Sequence, residues 1–539
     1  MRTEYDFIIV GAGSAGAVIA NRLTASGKYQ VLLIEAGKHD DNFWMKVPLG
    51  IVRVLGHGGY AWYDPTLESQ SFAGRSIPMI QGKTLGGGSS INGMLYVRGQ
   101  KQDYDGWRDA GCTGWGWEEV LPYFKKSECL ARDGDDAFHG RDGELKLSWM
   151  DDLPLSSRQA MAAVQEYGIP FNEDVNSGHQ DGVGYLLATI YRGRRQSTAR
   201  AFLHPVRRQR NNLTILTESH VQRIRFENNR AVAVRASLPE GMRELRATRE
   251  IIISAGAIGS PHILQHSGIG DAAHLRSIGI EALVDLPQVG KNLQDHLSAN
   301  LKFAVSRKGY SLNAMLGSLP RMALEMVRWL MTGRGILASG TSHFHAFMAS
   351  SEGLERPDLQ LAMRPYTMGH DNRGRPVPDR FPAITLAALQ TRPFSRGNVR
   401  IQSNDPTHRA RVDMNYFSDP RDIEIMAGGV RQIRQIATMP ALREIVTGEL
   451  APSLGVTSDA DLEAYLRANA NTIAHPVGTV RMGSDDAAPL TPRLQVRGVD
   501  GLRVADASVM PQITSGNTNA PTIMIGEKAA DLIHADAVR

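Results

Sequence analysis

The sequence predicts an α/β protein: a Rossmann-like dinucleotide-binding domain joined to a second, α+β domain built on an antiparallel sheet. Three observations carry this. Residues 5–10 form a β-rich apolar run that ends in a glycine turn, and helical spacing and another apolar run follow. Glu35 closes that second run with an acid. Residues 341–402 hold several β-like segments separated by loops rich in proline and arginine, the texture of an antiparallel sheet.

The opening unit reads as strand (residues 5–10), turn, helix (17–24) and strand (31–34). Strands with few polar positions suit a parallel sheet covered on both faces. Further short strands are expected at 213–216, 250–254 and 501–504. The turn is Gly11-Ala12-Gly13-Ser14-Ala15-Gly16. Gly11 permits the tight bend, Gly13 lets a pyrophosphate approach the backbone together with Ser14 and Ala15, and Gly16 allows the helix to pack closely. The helix N-terminus then offers free N–H groups and its positive dipole end to phosphate. Glu35 and Ala36 lie about 20 residues on, where a carboxylate accepts hydrogen bonds from ribose hydroxyls. That carboxylate would repel the extra phosphate of NADP. No second such glycine motif follows a strand, so one dinucleotide site, for FAD or NAD, is expected.

Composition narrows the remaining classes. The 539 residues exceed one ordinary core and suggest two or three domains. With 60 Lys and Arg against 56 Asp and Glu, the net charge of +4 implies no polyanionic partner, and no nucleic acid is expected. The basic run of Arg192, Arg194, Arg195, Arg200, Arg207, Arg208 and Arg210 has few interleaved aromatics and reads as a solvated or ion-paired face. The N-terminus lacks the pattern of a secretory leader. No apolar run reaches the roughly 18 residues of a transmembrane helix. Residues 322–330 come nearest but contain Glu325 and Arg328; they read as a helix packed on a core, on a subunit partner or peripherally on a membrane. Cys112 and Cys129 are expected as reduced thiols of a cytoplasmic protein.

The run GKTLGGGSSINGML at residues 82–95 resembles the first signature of the glucose–methanol–choline (GMC) oxidoreductase family. Further runs are similar to the family's other blocks and follow its order: SAGAIGSP at 254–261, SGIG at 267–270, VGKNLQDH at 289–296 and GLRVADAS at 501–508. The resemblance spans residues 5–532 and is weakest over 309–391, where specificity for substrate would lie. It implies FAD as cofactor, with Gly88, Asn92, Gly93, Met94 and Leu95 along the pyrophosphate and isoalloxazine. It places the backbone of Val221 at the adenine, and Asp506 and Ala507 in the returning segment. Some relatives bind FAD covalently through a histidine before the asparagine; that position is Ile91 here, so the flavin should be held non-covalently.

The resemblance also supplies a catalytic pair. His475, in AHPVGTVRMG at 474–483, stands where the family has its catalytic histidine, and Val480 where it often has cysteine. Oxidising an alcohol requires removal of the hydroxyl proton, for which a histidine is a suitable base. Asn517, in SGNTNAP at 515–521, stands at the second catalytic position. Its amide can hold the substrate oxygen but cannot act as a base, so His475 works alone. Asn517 and Thr518 also adjoin the cofactor, and Pro521 suits the first turn of a helix through 525–533. That helix would aim its positive end at the flavin, where negative charge accumulates on reduction.

The implied activity is FAD-dependent oxidation of a small-molecule alcohol, with a primary and uncharged alcohol preferred. Electrons would pass to a quinone, a dye or O2. Choline dehydrogenase is one specific alternative; a hydroxynitrile lyase of the same fold is another. The expected organisation has residues 1–155, 206–300 and 466–539 in the FAD domain and 156–205 and 301–465 in the substrate domain. His343 and His345 share a strand face without a convincing third ligand and read as a pocket wall, so no metal is expected. Tyr60, Trp62 and Tyr63 suit either an aromatic loop over the site or ordinary packing.

Overall fold

A computed structural model describes residues 2–56, 58–131, 134–150, 153–371 and 376–538. These residues form two large sheets with a cavity between them. In the first sheet, Glu4–Val10 lies parallel between Val31–Ile34 and Gly241–Ile253, and Leu213–Leu216 extends it beyond Val31–Ile34. Ile8, Ile9 and all four residues of Val31–Ile34 are buried, as strands covered on both faces must be. The expected strand at 250–254 is the end of a longer one. Gly241–Ile253 begins in an antiparallel hairpin with Arg230–Leu238 and finishes parallel to Glu4–Val10 and Leu502–Val504. Its first four residues are exposed, and they include Arg243 and Glu244, so they form no apolar run.

The helix Ser14–Thr24 follows the glycine turn and crosses Asn519–Ala537 tightly: a Cβ on Gly526 would meet the Ala15 Cα at 2.9 Å. Pro521 stands in the first turn of that second helix. The pair is tied by Arg22, whose guanidinium donates to the buried carboxylate of Glu527 and to Glu144.

The second sheet is antiparallel through its centre, with strands in the order Val446–Glu449, Leu297–Val305, Ala383–Gln390, Leu359–Arg364, Phe344–Met348 and Gly182–Ala188. Every residue of Ala383–Gln390 is buried, because one face meets the helix Pro420–Ala437 and the other looks toward the first sheet. Alternation along Leu359–Arg364 sends Leu359, Leu361 and Met363 into the core behind the sheet, and Gln360, Ala362 and Arg364 into the cavity wall.

His343 and His345 do not reach the cavity, which corrects their reading as a pocket wall. His343 sits between the hydroxyls of Ser157 and Ser339 at 3.0 and 3.2 Å, and His345 is wholly buried. Among the described residues no group of three His, Cys, Asp or Glu could hold a metal ion, and neither cysteine is in a disulfide. No helix there is long and apolar enough to cross a membrane.

Candidate active site

A cavity of about 670 Å³ runs between the two sheets. Of the residues singled out from the sequence, Gly11, Gly13, Ser14, Ala15, Glu35, Ala36, Gly88, Asn92, Gly93, Met94, Leu95, Val221, Asp506, Ala507, Asn517, Thr518 and His475 all line it. Gly16 does not. A Cβ there would meet the Gly11 carbonyl oxygen at 2.0 Å, so its place is in the packing of turn on helix.

Three helices begin at the cavity wall, with Ser14, Gly256 and Asn519 facing in. The dipoles of the helices that start at Ser14 and Asn519 favour an anion here, while the Gly256 N–H is taken by the Asp506 carboxylate at 2.8 Å. The two glycine loops touch here: a Cβ on Gly87 would lie 2.8 Å from the Gly13 Cα. A Cβ on Gly88 would enter open space, and one on Gly13 would find only the Ser254 carbonyl, at 4.0 Å, so both backbones stand open to the cavity. Glu35 lies further along, where its carboxylate accepts the Ala12 N–H at 2.9 Å and the Gly37 N–H at 2.8 Å. Burial pushes that carboxyl up to about 7 against the pull of those two donors. Ser219 and Val221 complete this end, and Trp62 lines it with Lys83 and Arg409 against its ring at 3.9 and 4.2 Å. Trp62 therefore belongs to this end of the cavity. Open glycine backbone, three helix starts and a carboxylate beyond them fit a flavin dinucleotide.

Arg195 departs from the solvated face expected of the arginine run. It is buried, and its Nη1 donates to the carbonyl of Asn92 at 2.7 Å and the side-chain oxygen of Asn92 at 2.8 Å. Desolvation lowers its pKa to about 9. Together with the Met94 N–H, which donates to the same Asn92 oxygen at 3.1 Å, it pins the loop where Met94 adopts φ 66°. A single arginine within a run of seven gives no sequence signal of such a role.

At the opposite end His475 and Asn517 are brought together, with the Asn517 Nδ2 3.3 Å from His475 Nε2. The Asn517 amide oxygen is buried and has no protein partner. Two residues that were not singled out as site residues hold His475. Asp295 accepts its backbone N–H at 2.7 Å, while the Asp295 carboxylate also takes the hydroxyls of Tyr416 and Thr472. His296 faces its ring, Nδ1 to Nδ1, at 3.0 Å. The other nitrogen of His296 donates to the Thr391 carbonyl at 2.9 Å. Burial pushes His296 down to about 4, so the ring is neutral and its Nδ1 is an acceptor. His475 must then carry its proton on Nδ1, which leaves the lone pair on Nε2 facing Asn517 and the cavity. Burial, and next the neighbouring His296, holds His475 well below the usual imidazole range. The signal was present in the run at 289–296, but only the fold shows that its last two residues meet His475.

The chain belongs to the GMC oxidoreductase family, whose N-terminal pattern matches residues 5–298 and whose C-terminal pattern matches residues 393–526. It is 42% identical to an alcohol dehydrogenase (acceptor) of Pseudomonas putida, over 98% of this chain and 95% of that one. An oxygen-dependent choline dehydrogenase of Photobacterium profundum is 38% identical over 99% of this chain and 93% of its own. The crystal structure of pyridoxine 4-oxidase from Mesorbium loti superposes with a TM-score of 0.88 at 32% identity, covering 98% of this chain and 99% of that one. This is an FAD-dependent oxidoreductase.

Proposed function

We propose that the enzyme oxidises an uncharged primary alcohol, with His475 Nε2 taking the hydroxyl proton and Asn517 orienting the oxygen. The observation that carries this reading is the chain from the Thr391 carbonyl through His296 to His475, which leaves the Nε2 lone pair facing the cavity beside the Asn517 amide. Because desolvation keeps His475 unprotonated, the base is ready at neutral pH. The Asn517 amide N–H, beside Nε2, donates to the alcohol oxygen and to the charge that develops there as the proton leaves. Bound FAD supplies the acceptor for the hydride of the carbinol carbon. Ala362, Leu389 and Ile473 cluster in the wall on the sheet side and suit an apolar carbon chain.

Choline finds less support. A quaternary ammonium wants a carboxylate or an aromatic cage. The carboxylates lining the cavity are Glu35 and Asp506, and both already accept backbone N–H groups. Arg364 is a charged group in the sheet wall, and its Nη1 donates to the neutral Asn300 side chain at 2.9 Å. The alcohol and choline dehydrogenases that this chain resembles are oxidoreductases, which favours that class over a lyase. In the same reading residues 1–155, 206–300 and 466–539 hold the cofactor, and 156–205 and 301–465 shape the substrate side. The two free thiols support a cytoplasmic location.

The test is anaerobic mixing of the holoenzyme with a panel of alcohols while the visible flavin absorbance is followed. Bleaching by a primary alcohol is expected, and His475→Ala should slow it by about 10³-fold with FAD still bound. An unchanged rate in that variant overturns the assignment of the base; no bleaching by any alcohol overturns the reaction.

A further inference from the structure

The fold leaves one apolar helix face uncovered. Leu319–Thr332 has Pro320 in its first turn and stops at Gly333, whose φ of 65° suits glycine. Its inner side carries Met322, Met326 and Trp329, packed on Val47 and Leu337, and the Trp329 indole N–H donates to the Gly193 carbonyl at 2.7 Å. That bond fixes the roll of the helix. A surface helix anchored in this way normally turns a polar face to water. This one presents Leu319, Leu324 and Met331, at 80%, 70% and 81% exposure, with Val327 and Leu330 more than half exposed between them. Leu324, Val327 and Met331 stand three and four residues apart and make one stripe. Phe43, itself exposed, stands edge-on to the Trp329 ring at 5.9 Å, beside the same helix.

The surroundings of the stripe are basic. Arg321 and Arg328 lie on the helix and Arg334 just beyond it; the helix's acid, Glu325, bonds Arg328 and the Ile336 N–H. Trp329 and Leu330 border a surface cleft of about 670 Å³ that also holds Lys146, Arg192, Arg194 and Arg200. Arg194 and Arg200 continue into a second cleft of about 1030 Å³ with Arg207 and Arg208. Of the acids in these clefts, Glu144 is bonded to Arg22 and Asp40 to His204, which leaves Asp41.

We propose that this face docks the enzyme on a lipid bilayer with anionic headgroups. The apolar stripe enters the interface and the arginine clefts meet the phosphates. An apolar strip flanked by Arg, with few free acids, is the pattern of a helix that lies in a membrane surface. A second copy fits poorly, because a two-fold contact would bring the same arginines face to face. Past Ile336–Ala338 the chain enters the catalytic cavity wall at Thr341 and Ser342, so the docked face adjoins the substrate side.

Co-sedimentation of the FAD-bound enzyme with phosphatidylcholine vesicles, with and without phosphatidylglycerol, tests this. The enzyme should pellet with the anionic vesicles and be released by salt. The variant L324Q/V327Q/M331Q should bind at least about tenfold more weakly, with flavin absorbance and mass by light scattering unchanged. R207Q/R208Q should lose part of the preference for phosphatidylglycerol while keeping its fold. Wild-type protein that stays in the supernatant with every vesicle, or a triple variant that still pellets fully, overturns the proposal. So does a triple variant that falls from dimer to monomer, since the face then belongs to a second copy.

Discussion

At the dinucleotide end of the cavity the wall is mostly backbone: glycine loops, three helix starts, and a carboxylate at the end of a strand. At the other end it is mostly side chains, drawn from segments far apart in the chain. His475 is held by Asp295 and His296, some 180 residues earlier, and faces Asn517, 42 residues later. Backbone can approach a phosphate closely only where Cβ is absent or the chain bends sharply, so that end depends on residue types within one short run. A base needs a tautomer and a direction, and these come from partners that only the fold brings near.

The contrast predicts different kinds of failure, and Gly16→Val should cause the largest. Its Cβ would lie 2.0 Å from a backbone oxygen that cannot swing aside, which costs about 3 kcal/mol or more. The purified variant should be colourless and melt early. A yellow, fully active Gly16→Val protein would show that close packing at the turn is dispensable.

His296→Phe should act on the other end and more gently. It keeps the ring's bulk but removes the acceptor for His475 Nδ1–H, so FAD content should hold while kcat falls about tenfold. Loss of the neutral tautomer preference should also change the acid limb of the pH profile. A change confined to KM, with the limb unmoved, would mean that His296 only fills space.

The smallest effect concerns that limb in the parent enzyme. His475 is held below the ordinary value near 6.5, so its base form is present in the folded protein at and somewhat below that pH, and is lost only as pH falls through the lowered value. The profile of kcat/KM should therefore stay flat below pH 6.5 before it drops. The same sign applies to stability. His296, His343 and His345 have folded values of about 4, 4 and 3. Their neutral burial contributes fully above about pH 6.5 and is progressively lost below it, as the unfolded chain takes up protons. Thermal unfolding measured between pH 7 and 5 should show a falling Tm, and a flat Tm would count against neutral burial of these rings.

The sequence by itself determined the first βαβ unit, its glycine turn and Glu35, because strand period, turn chemistry and helix spacing are local properties. The same local runs single out the proposed pair His475 and Asn517 through the family resemblance, and the fold brings the two side chains together. The hairpin at the start of Gly241–Ile253 has no apolar run to mark it, because its first four residues are exposed and include Arg243 and Glu244. Arg195 could not be told from the other arginines of its run, since burial under a loop some 100 residues earlier leaves no mark on its neighbours. His345 lies in the strand Phe344–Met348 and His343 just before it, and both differ from the expected pocket wall in their surroundings. Whether a strand's face meets a cavity or a helix is decided by what packs against it. The tertiary structure alone also decided that Asp295 and His296 converge on His475, because a hydrogen-bond direction exists only once both partners have positions in space.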